Sequence, residues 1–286
     1  MGRDRLTAGA AELAKRYDVR ISGRALDRTG YLAGEDDVRA EELNRLLRDP
    51  DVRAVMLSRG GYGLMRILER LDADALRRDP KLIVGYSDAT ALLSWALLSA
   101  GVRGIHGPMT GHFGELPDSD RGWLIGLMES PQPPGEMPDR GSPIGAPAPD
   151  FGVVRGPMIG GNLCLLSHLV GTPHHVDTAG AVVVIEDVGE RPYKIDRYLT
   201  HLHLAGALDD AAAVVVGELI RCEETSWPPD PTAEAVIDER LRAAGVPGVG
   251  GLPIGHGDRN LAFPFGGLCE VEFASGTVRL LEAAVR

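Results

Sequence analysis

The chain has 286 residues, of which 44% are hydrophobic and 25% are charged, a composition typical of a globular protein with a substantial core. Its net charge of -11 argues against a nucleic-acid-binding function, which requires a basic face. The N-terminal segment lacks the apolar core of a signal peptide, and no apolar run approaches the ~18 residues of a membrane-spanning helix. We therefore expect a cytoplasmic protein with no membrane partner.

Helical and strand-like segments alternate along the first 129 residues. Apolar residues at three- and four-residue spacing predict helices in LTAGAAELAKRY, EDDVRAEELNRLLRD and LMRILERL. Buried strands are predicted in the short apolar runs VRAVMLS, from Val52, and KLIVG, from Lys81. Because alternating strands and helices indicate a parallel sheet covered on both faces, residues 1–129 are predicted to form a Rossmann-like, flavodoxin-like α/β domain.

Residues 130–150 differ in composition, because SPQPPGEMPDRGSPIGAPAPD is rich in proline and glycine and has no periodicity. This composition predicts a linker between two domains. In residues 151–286, helices are predicted in GGNLCLLSHLVG, KIDRYLTHLHLAGAL and TAEAVIDERLRAAG. They alternate with predicted strands in AGAVVVIED, DAAAVVVGEL and VPGVGGLPIGHG, and CEVEF and TVRLLE indicate a closing β-hairpin. Residues 151–286 are therefore predicted to form a mixed α/β domain.

Polar residues follow several of the predicted strands. Ser87 follows LIVGY, Glu186 and Asp187 follow AVVVI, Glu218 follows AAVVVG, and His256 follows GLPIG. In parallel α/β folds, functional groups gather at the carboxyl ends of strands, so a serine, an acid and a histidine could meet there. These are the residue types of a nucleophile, an orienting carboxylate and a general base. GYSDA lacks the closing glycine of the G-x-S-x-G turn, so an α/β-hydrolase fold is not indicated.

Each of these signals also has a purely structural interpretation. Ser87 could simply cap the following helix, Glu186 could pair with Arg191 or Lys194, and RGGYG could be a sharp turn. The two histidines of HLH have the wrong spacing for metal ligands on one helix face, and the three separated cysteines form no zinc pattern. No phosphate loop or GxGxxG segment follows a strand. We therefore expect neither a metal nor a nucleotide cofactor.

A resemblance to a known family is carried by six segments that occur in order from Tyr31 to the C-terminus. They are YLAGEDDVRAEELNRLLRDPDVRAVMLSRGGYG, LIVGYSDATALL, HGPM, GGNLCLLSHLVGTP, VVVIEDVGERPYKIDRYLTHLHLAG and GHGDRNLAFPFG. Together they resemble the LD-carboxypeptidase family of serine peptidases. The resemblance implies a homodimeric enzyme that releases the terminal D-alanine from muropeptide tetrapeptides during peptidoglycan recycling.

The resemblance also implies roles for individual residues. Ser87 would be the nucleophile, His256 the general base and Glu186 the residue that orients His256. The oxyanion would be stabilised by the backbone N–H of Asp88 and by that of a glycine in RGGYG, with Gly61 as first choice and Gly60 as second.

Two arginines are candidates for binding the terminal carboxylate of the substrate. Arg59 precedes the glycines of RGGYG, and Arg191 lies in GERPYK. The arginine fork can donate two parallel hydrogen bonds to a carboxylate. For either arginine, the alternative is a surface ion pair with Glu186, Asp187 or Glu190.

Several questions stay open at the level of sequence. The third residue of the substrate could be diaminopimelate or lysine. The chain could instead resemble microcin-immunity hydrolases, which cleave a peptidyl nucleotide or acyl-sulfamate, or it could be a catalytically silent module that binds cell-wall peptides. The family usually opens with a strand before its first helix, and here we expect the first sheet to lack that strand.

Overall fold

The structure is a computed structural model that describes residues 2–148, 152–223 and 231–286. Within these residues the chain forms a four-stranded and an eight-stranded β-sheet, both packed against helices. The predicted fold class, a parallel-sheet α/β domain followed by a mixed α/β domain with a hairpin, is confirmed. No helix in the described ranges is long and apolar enough to cross a membrane.

The first sheet is built mainly from the N-terminal part of the chain. Its elements in order are α1 (Arg3–Ala14), α2 (Asp36–Arg48), β1 (Ala54–Met56), α3 (Ala73–Arg78), β2 (Leu82–Gly85), α4 (Ala89–Trp95), β3 (Ile105–His106), α5 (Thr110–Phe113) and α6 (Asp118–Glu129). Strands β1, β2 and β3 run parallel, with Val55 opposite Ile83 and Gly85 opposite His106. Ile83 and Val84 are fully buried, as expected for a parallel strand covered on both faces.

The second sheet contains the remaining strands except one, which belongs to the first sheet. The elements after α6 are β4 (Gly135–Glu136), β5 (Ser142–Gly145), β6 (Val153–Asn162), α7 (Leu163–Leu169), β7 (Val182–Val188), α8 (Pro192–Leu204), β8 (Ala213–Ile220), α9 (Ala233–Ala244), β9 (Pro247–Gly250), β10 (Phe263–Pro264), β11 (Gly267–Glu272) and β12 (Thr277–Leu280). The strand order is β4-β12-β11-β6-β7-β8-β9-β5, with β6 to β9 parallel. Strand β10 instead pairs antiparallel with β3, so the C-terminal part of the chain completes the first sheet.

The segment predicted to be a linker contributes two strands to the second sheet. Strand β5 pairs antiparallel with β9, and β4 pairs with β12. Asp150, the last residue of the predicted linker, and residue 151, the first of the predicted second domain, lie outside the described residues.

Two local predictions differ from the structure. LMRILERL was expected to be an α-helix but forms two 3-10 turns, Leu64–Arg66 and Leu68–Arg70. Ile67 and Leu68, at the junction of the two turns, are both buried. The GGN of GGNLCLL belongs to β6, a strand that the sequence analysis missed, and α7 begins only at Leu163.

One edge of the first sheet is open. Among the described residues β1 pairs with β2 alone, so its other edge has no partner strand. A hollow of about 1750 Å³ lies along this edge, and apolar side chains that include Leu6, Leu13, Val19 and Ile21 line it. The hollow extends to Arg59, in the loop that follows β1.

Candidate active site

Ser87 lies on a strained turn between β2 and α4. Its φ angle is 62°, in the left-handed region, which only one other non-glycine residue of the described chain adopts. The turn is closed by hydrogen bonds from Ala89 N–H to the Tyr86 carbonyl and from Thr90 N–H to the Ser87 carbonyl. Such a conformation costs about 1–3 kcal/mol and persists only where the surroundings hold it, which makes Ser87 a strong candidate for a functional residue.

A glycine loop, Arg59 to Gly63, lies against this turn. A Cβ atom added to Gly60 would fall 2.9 Å from both Cβ and Oγ of Ser87, so the bare backbone of Gly60 touches the candidate nucleophile. A Cβ on Gly61 would meet the guanidinium of Arg59 instead. Gly60, the second choice from the sequence, is therefore the closer glycine. In the part of the chain that the structure describes, no acceptor bonds the backbone N–H of Gly60, Gly61 or Asp88.

His256 and Glu186 form a close pair in the second sheet and the loop beside it. The Nδ1 atom of His256 lies 2.6 Å from Oε2 of Glu186, whose side chain is completely buried at the end of β7. Gly255 makes this approach possible, because its φ is +124° and a Cβ there would lie 2.6 Å from the same carboxylate oxygen. With Nδ1 bound to the carboxylate, Nε2 of His256 is the nitrogen that is left to accept a proton.

The neighbouring carboxylate, Asp187, has a different environment. Its oxygens accept hydrogen bonds from Asn162 Nδ2 at 2.9 Å, from Cys164 N–H at 3.0 Å and from its own neighbour Val188 N–H at 2.8 Å. Successive side chains of a strand point to opposite faces, so Glu186 faces His256 while Asp187 anchors the start of α7. Burial raises the pKa of Asp187 to about 6.

Tyr86 joins the two halves of the site, and the sequence analysis missed it. It directly precedes Ser87, and its ring meets that of His256 edge to face, with the centroids 4.9 Å apart. His106, also missed, lies 6.3 Å from the Tyr86 ring and stacks on Phe263 at 4.8 Å. Because His106 is fully buried, its pKa is lowered to about 3, and the ring stays neutral at physiological pH. The sequence signal that could have identified Tyr86 is its position, because it is an aromatic residue directly before the candidate nucleophile Ser87.

The two candidate arginines differ in their surroundings. Arg59 is exposed, and its Nε donates to the Gly60 carbonyl at 2.8 Å, while no carboxylate among the described residues lies within ion-pair distance of it. Arg191 is also exposed, directly before α8. Of the acids suggested as ion-pair partners, Glu186 is bound to His256 and Glu190 to Lys194, at 2.9 Å. Arg59 is therefore available to bind an anion.

The described residues contain no group of three or more histidines, cysteines, aspartates or glutamates that could hold a metal ion. The three cysteines, Cys164, Cys222 and Cys269, are free thiols. Burial raises the pKa of each thiol, which makes none of them a ready nucleophile. The groups that the structure brings together are a serine hydroxyl on a strained turn and an imidazole paired with a buried carboxylate, which are the residue types that serine acyl transfer uses.

Comparison with known proteins gives consistent results along the whole chain. The LD-carboxypeptidase N-terminal domain matches residues 2–107, and the LD-carboxypeptidase C-terminal domain matches residues 155–271. A probable murein peptide carboxypeptidase of Bacillus subtilis is 35% identical over 265 residues, which are 92% of this chain and 82% of that protein. The crystal structure of a muramoyltetrapeptide carboxypeptidase from Oxalobacter formigenes is 27% identical and superposes with a TM-score of 0.84, covering 100% of this chain and 97% of that one.

A functionally distinct relative is also present. The microcin C7 self-immunity protein MccF of Escherichia coli is 27% identical over an alignment of 309 positions, gaps included, that covers 98% of this chain and 89% of that protein. A structure of MccF superposes with a TM-score of 0.86 at 25% identity, covering 99% of this chain and 92% of that one. Shared fold and shared family therefore do not fix the substrate.

Proposed function

Because the chain belongs to the LD-carboxypeptidase family, we propose that it is a serine peptidase that releases the terminal D-alanine from muropeptide tetrapeptides. The observation that carries this proposal is the meeting of the strained Ser87 turn with the Glu186–His256 pair across the ring of Tyr86. A nucleophile, a base and a group that orients the base are the parts that serine acyl transfer requires.

In the proposed reaction, Oγ of Ser87 attacks the carbonyl carbon of the third residue of the peptide while Nε2 of His256 takes the hydroxyl proton. The tetrahedral intermediate collapses when His256 gives that proton to the nitrogen of the departing D-alanine. Water then attacks the acyl-enzyme by the same route and frees Ser87. Glu186 keeps the imidazole in the required tautomer and stabilises the imidazolium that forms in each step.

The negative charge of the tetrahedral oxygen needs donors that are already in place. The backbone N–H groups of Asp88 and of Gly60 or Gly61 are the candidates, because they flank Ser87 and have no acceptor among the described residues. Preorganised donors of this kind act mainly in the transition state, so they raise kcat more than they lower KM.

Recognition of the free end of the peptide is the task that we assign to Arg59, with Arg191 as the second candidate. A net charge of -11 repels an anionic peptide, so a local cation is needed at the site. Replacing Arg59 by Ala should raise KM more than it lowers kcat, and amidation of the terminal D-alanine should abolish cleavage. An amidated tetrapeptide that is cleaved as fast as the free acid would contradict the assignment of the protein as a carboxypeptidase.

The decisive experiment is mass spectrometry after incubation with two tetrapeptides, one with diaminopimelate and one with lysine at the third position. Loss of one alanine from either peptide, absent with the Ser87→Ala variant, would establish the reaction, and the ratio of rates would give the preference. A protein that binds the peptides without cleaving them would instead be a binding module.

The similarity to MccF supports a second candidate function, hydrolysis of a peptidyl nucleotide or acyl-sulfamate. The same triad would serve, because both substrates present a carbonyl carbon to Ser87. Incubation with an aminoacyl sulfamoyl adenosine alongside the tetrapeptides distinguishes the two. Faster turnover of the sulfamate would favour this second function.

A further inference from the structure

The side chain of Asp88 has an unusual role for its position. It occupies the N-cap of α4, where an aspartate normally accepts a hydrogen bond from the first turn of its own helix, yet it makes no such bond. Its Oδ2 instead accepts the backbone N–H of Leu64 at 2.9 Å. Leu64 directly follows Gly63, the last glycine of the loop, so Asp88 ties that loop to the turn that carries Ser87.

The glycine loop is held from its other side as well. The guanidinium of Arg39 donates to the Gly63 carbonyl from both terminal nitrogens, at 3.2 and 3.1 Å, and is itself paired with Asp36. A Cβ atom on Gly63 would lie 2.8 Å from Leu32 and 3.1 Å from Arg39, so the fit leaves no room for a side chain. The end of the loop is therefore held from two sides, by Arg39 at the Gly63 carbonyl and by Asp88 at the Leu64 N–H.

Asp88 is only 5% exposed, and burial raises the pKa of its carboxyl, while the nearby backbone N–H groups and Arg39 act in the opposite direction. A buried carboxylate that forms no cap and no ion pair of its own is costly unless its hydrogen bonds serve a purpose. The bonds that Asp88 makes hold the loop in which Gly60 touches Ser87.

We propose that the Asp88 side chain is a positioning residue that clamps the glycine loop to the nucleophile turn. Its own backbone N–H is one of the two oxyanion donors in the proposed mechanism, and its carboxylate fixes the loop that supplies the other. One residue thus sets the separation of the two donors. This inference rests on the proposed serine mechanism, since an oxyanion hole is needed only there.

The test compares three variants. Asp88→Ala removes the clamp and should lower kcat by about 10²-fold, the loss typical of a displaced or missing oxyanion donor, with KM changed less than about threefold. Asp88→Asn keeps one oxygen acceptor for the loop, so its kcat should be at least tenfold higher than that of Asp88→Ala. Asp72→Ala is the matched control, because Asp72 caps α3 through Ala75 N–H and lies outside the proposed site, so its kcat should equal that of the wild type.

A second measurement does not depend on the natural substrate. A fluorophosphonate labels a reactive serine and places its phosphoryl oxygen in the oxyanion hole, so labelling of Ser87 should slow in Asp88→Ala and not in Asp72→Ala. Slow labelling would support the clamp even if neither tetrapeptide were cleaved, which separates this inference from the proposed substrate.

Two results would overturn the inference. One is an Asp88→Ala variant whose kcat and labelling rate are within threefold of the wild type. The other is an Asp88→Ala variant whose kcat/KM falls only because KM rises. If Asp88→Ala does not fold, Arg39→Met loosens the same loop from its opposite side. It should lower kcat at least tenfold with KM unchanged, and full activity in that variant would equally exclude the clamp.

Discussion

Replacing Asp187 by Asn should change how the stability of the protein depends on pH. Burial raises the pKa of this carboxyl from 3.8 to about 6 in the folded state. One pKa unit corresponds to about 1.4 kcal/mol, so ionising Asp187 costs the folded protein about 3 kcal/mol. The side chain is 2% exposed, so screening by solvent reduces this figure little.

The sign follows from proton binding. Between about pH 4 and pH 6 the folded protein keeps the proton on Asp187 while the unfolded chain has lost it, so wild-type stability falls as pH rises through this range. An asparagine does not titrate, so the free energy of unfolding of Asp187→Asn, relative to the wild type, should rise by about 3 kcal/mol from pH 4 to pH 7. The variant also loses hydrogen-bond acceptors for Asn162 and Cys164, but that penalty is independent of pH.

Urea unfolding of both proteins across this pH range, followed by tryptophan fluorescence and circular dichroism, measures the difference directly. The control is Asp36→Asn, because ion pairs with Arg66 and Arg39 lower the pKa of Asp36 to about 2. The ionised Asp36 stabilises the folded protein above about pH 4, and this effect is lost only as the pH falls below that value. The free energy of unfolding of Asp36→Asn, relative to the wild type, should therefore stay constant from pH 4 to pH 7. The reasoning would be refuted if the free energy of unfolding of Asp187→Asn, relative to the wild type, changed by less than about 1 kcal/mol from pH 4 to pH 7, or if it decreased as the pH rises.

The remaining predictions concern catalysis. Ser87→Ala and His256→Ala should each lower turnover at least ~10³-fold, and the double variant should be no slower than either one, whereas multiplied effects would mean that they do not act as a unit. Glu186→Gln should lower kcat by ~10³–10⁴-fold and Asp187→Asn by less than about tenfold, and steady-state kinetics showing the reverse order would mean that the wrong carboxylate was assigned. Gly60→Ala should lower kcat at least ~10²-fold because its methyl group would lie 2.9 Å from Oγ of Ser87, and wild-type kcat would remove Gly60 from the site.

Much of this arrangement was predictable from the sequence. Strands such as Val182–Val188 are continuous β-branched runs, and polar residues directly after them stand out. That pattern correctly placed Ser87 just after a strand, β2, but the structure places Glu186 within β7 and His256 in the loop after β9, because GLPIG does not form a strand. The family resemblance then gave each of them a role that periodicity alone could not.

Other features depend on contacts between distant parts of the chain. The sequence analysis gave Asp88 a role only through its backbone N–H, and only the fold reveals that its carboxylate binds the N–H of Leu64. The edge-to-face contact of Tyr86 with His256 joins residues 170 positions apart, which no local pattern encodes. The segment around Ile67 has the apolar spacing of an α-helix, yet it forms two 3-10 turns, which that spacing does not predict.

The loop that carries His256 is held by polar contacts to α6 and to Asp139, a residue of the segment predicted as a linker. Arg259, three residues after His256, donates to Asp120 at 2.9 Å and to Asp139, and the backbone N–H of Asn260 bonds the same Asp120 carboxylate at 3.2 Å. Asp120 lies in α6, and its side chain is fully buried. The loop of the proposed base His256 is thus bound to a helix of the N-terminal part of the chain, which also carries the proposed nucleophile Ser87. Because the Asp120 carboxylate is fully buried, loss of its partner Arg259 would leave a buried charge unpaired, so this contact favours one fixed position of the His256 loop. A fixed geometry is what a base must have to take a proton within hydrogen-bond distance of the nucleophile.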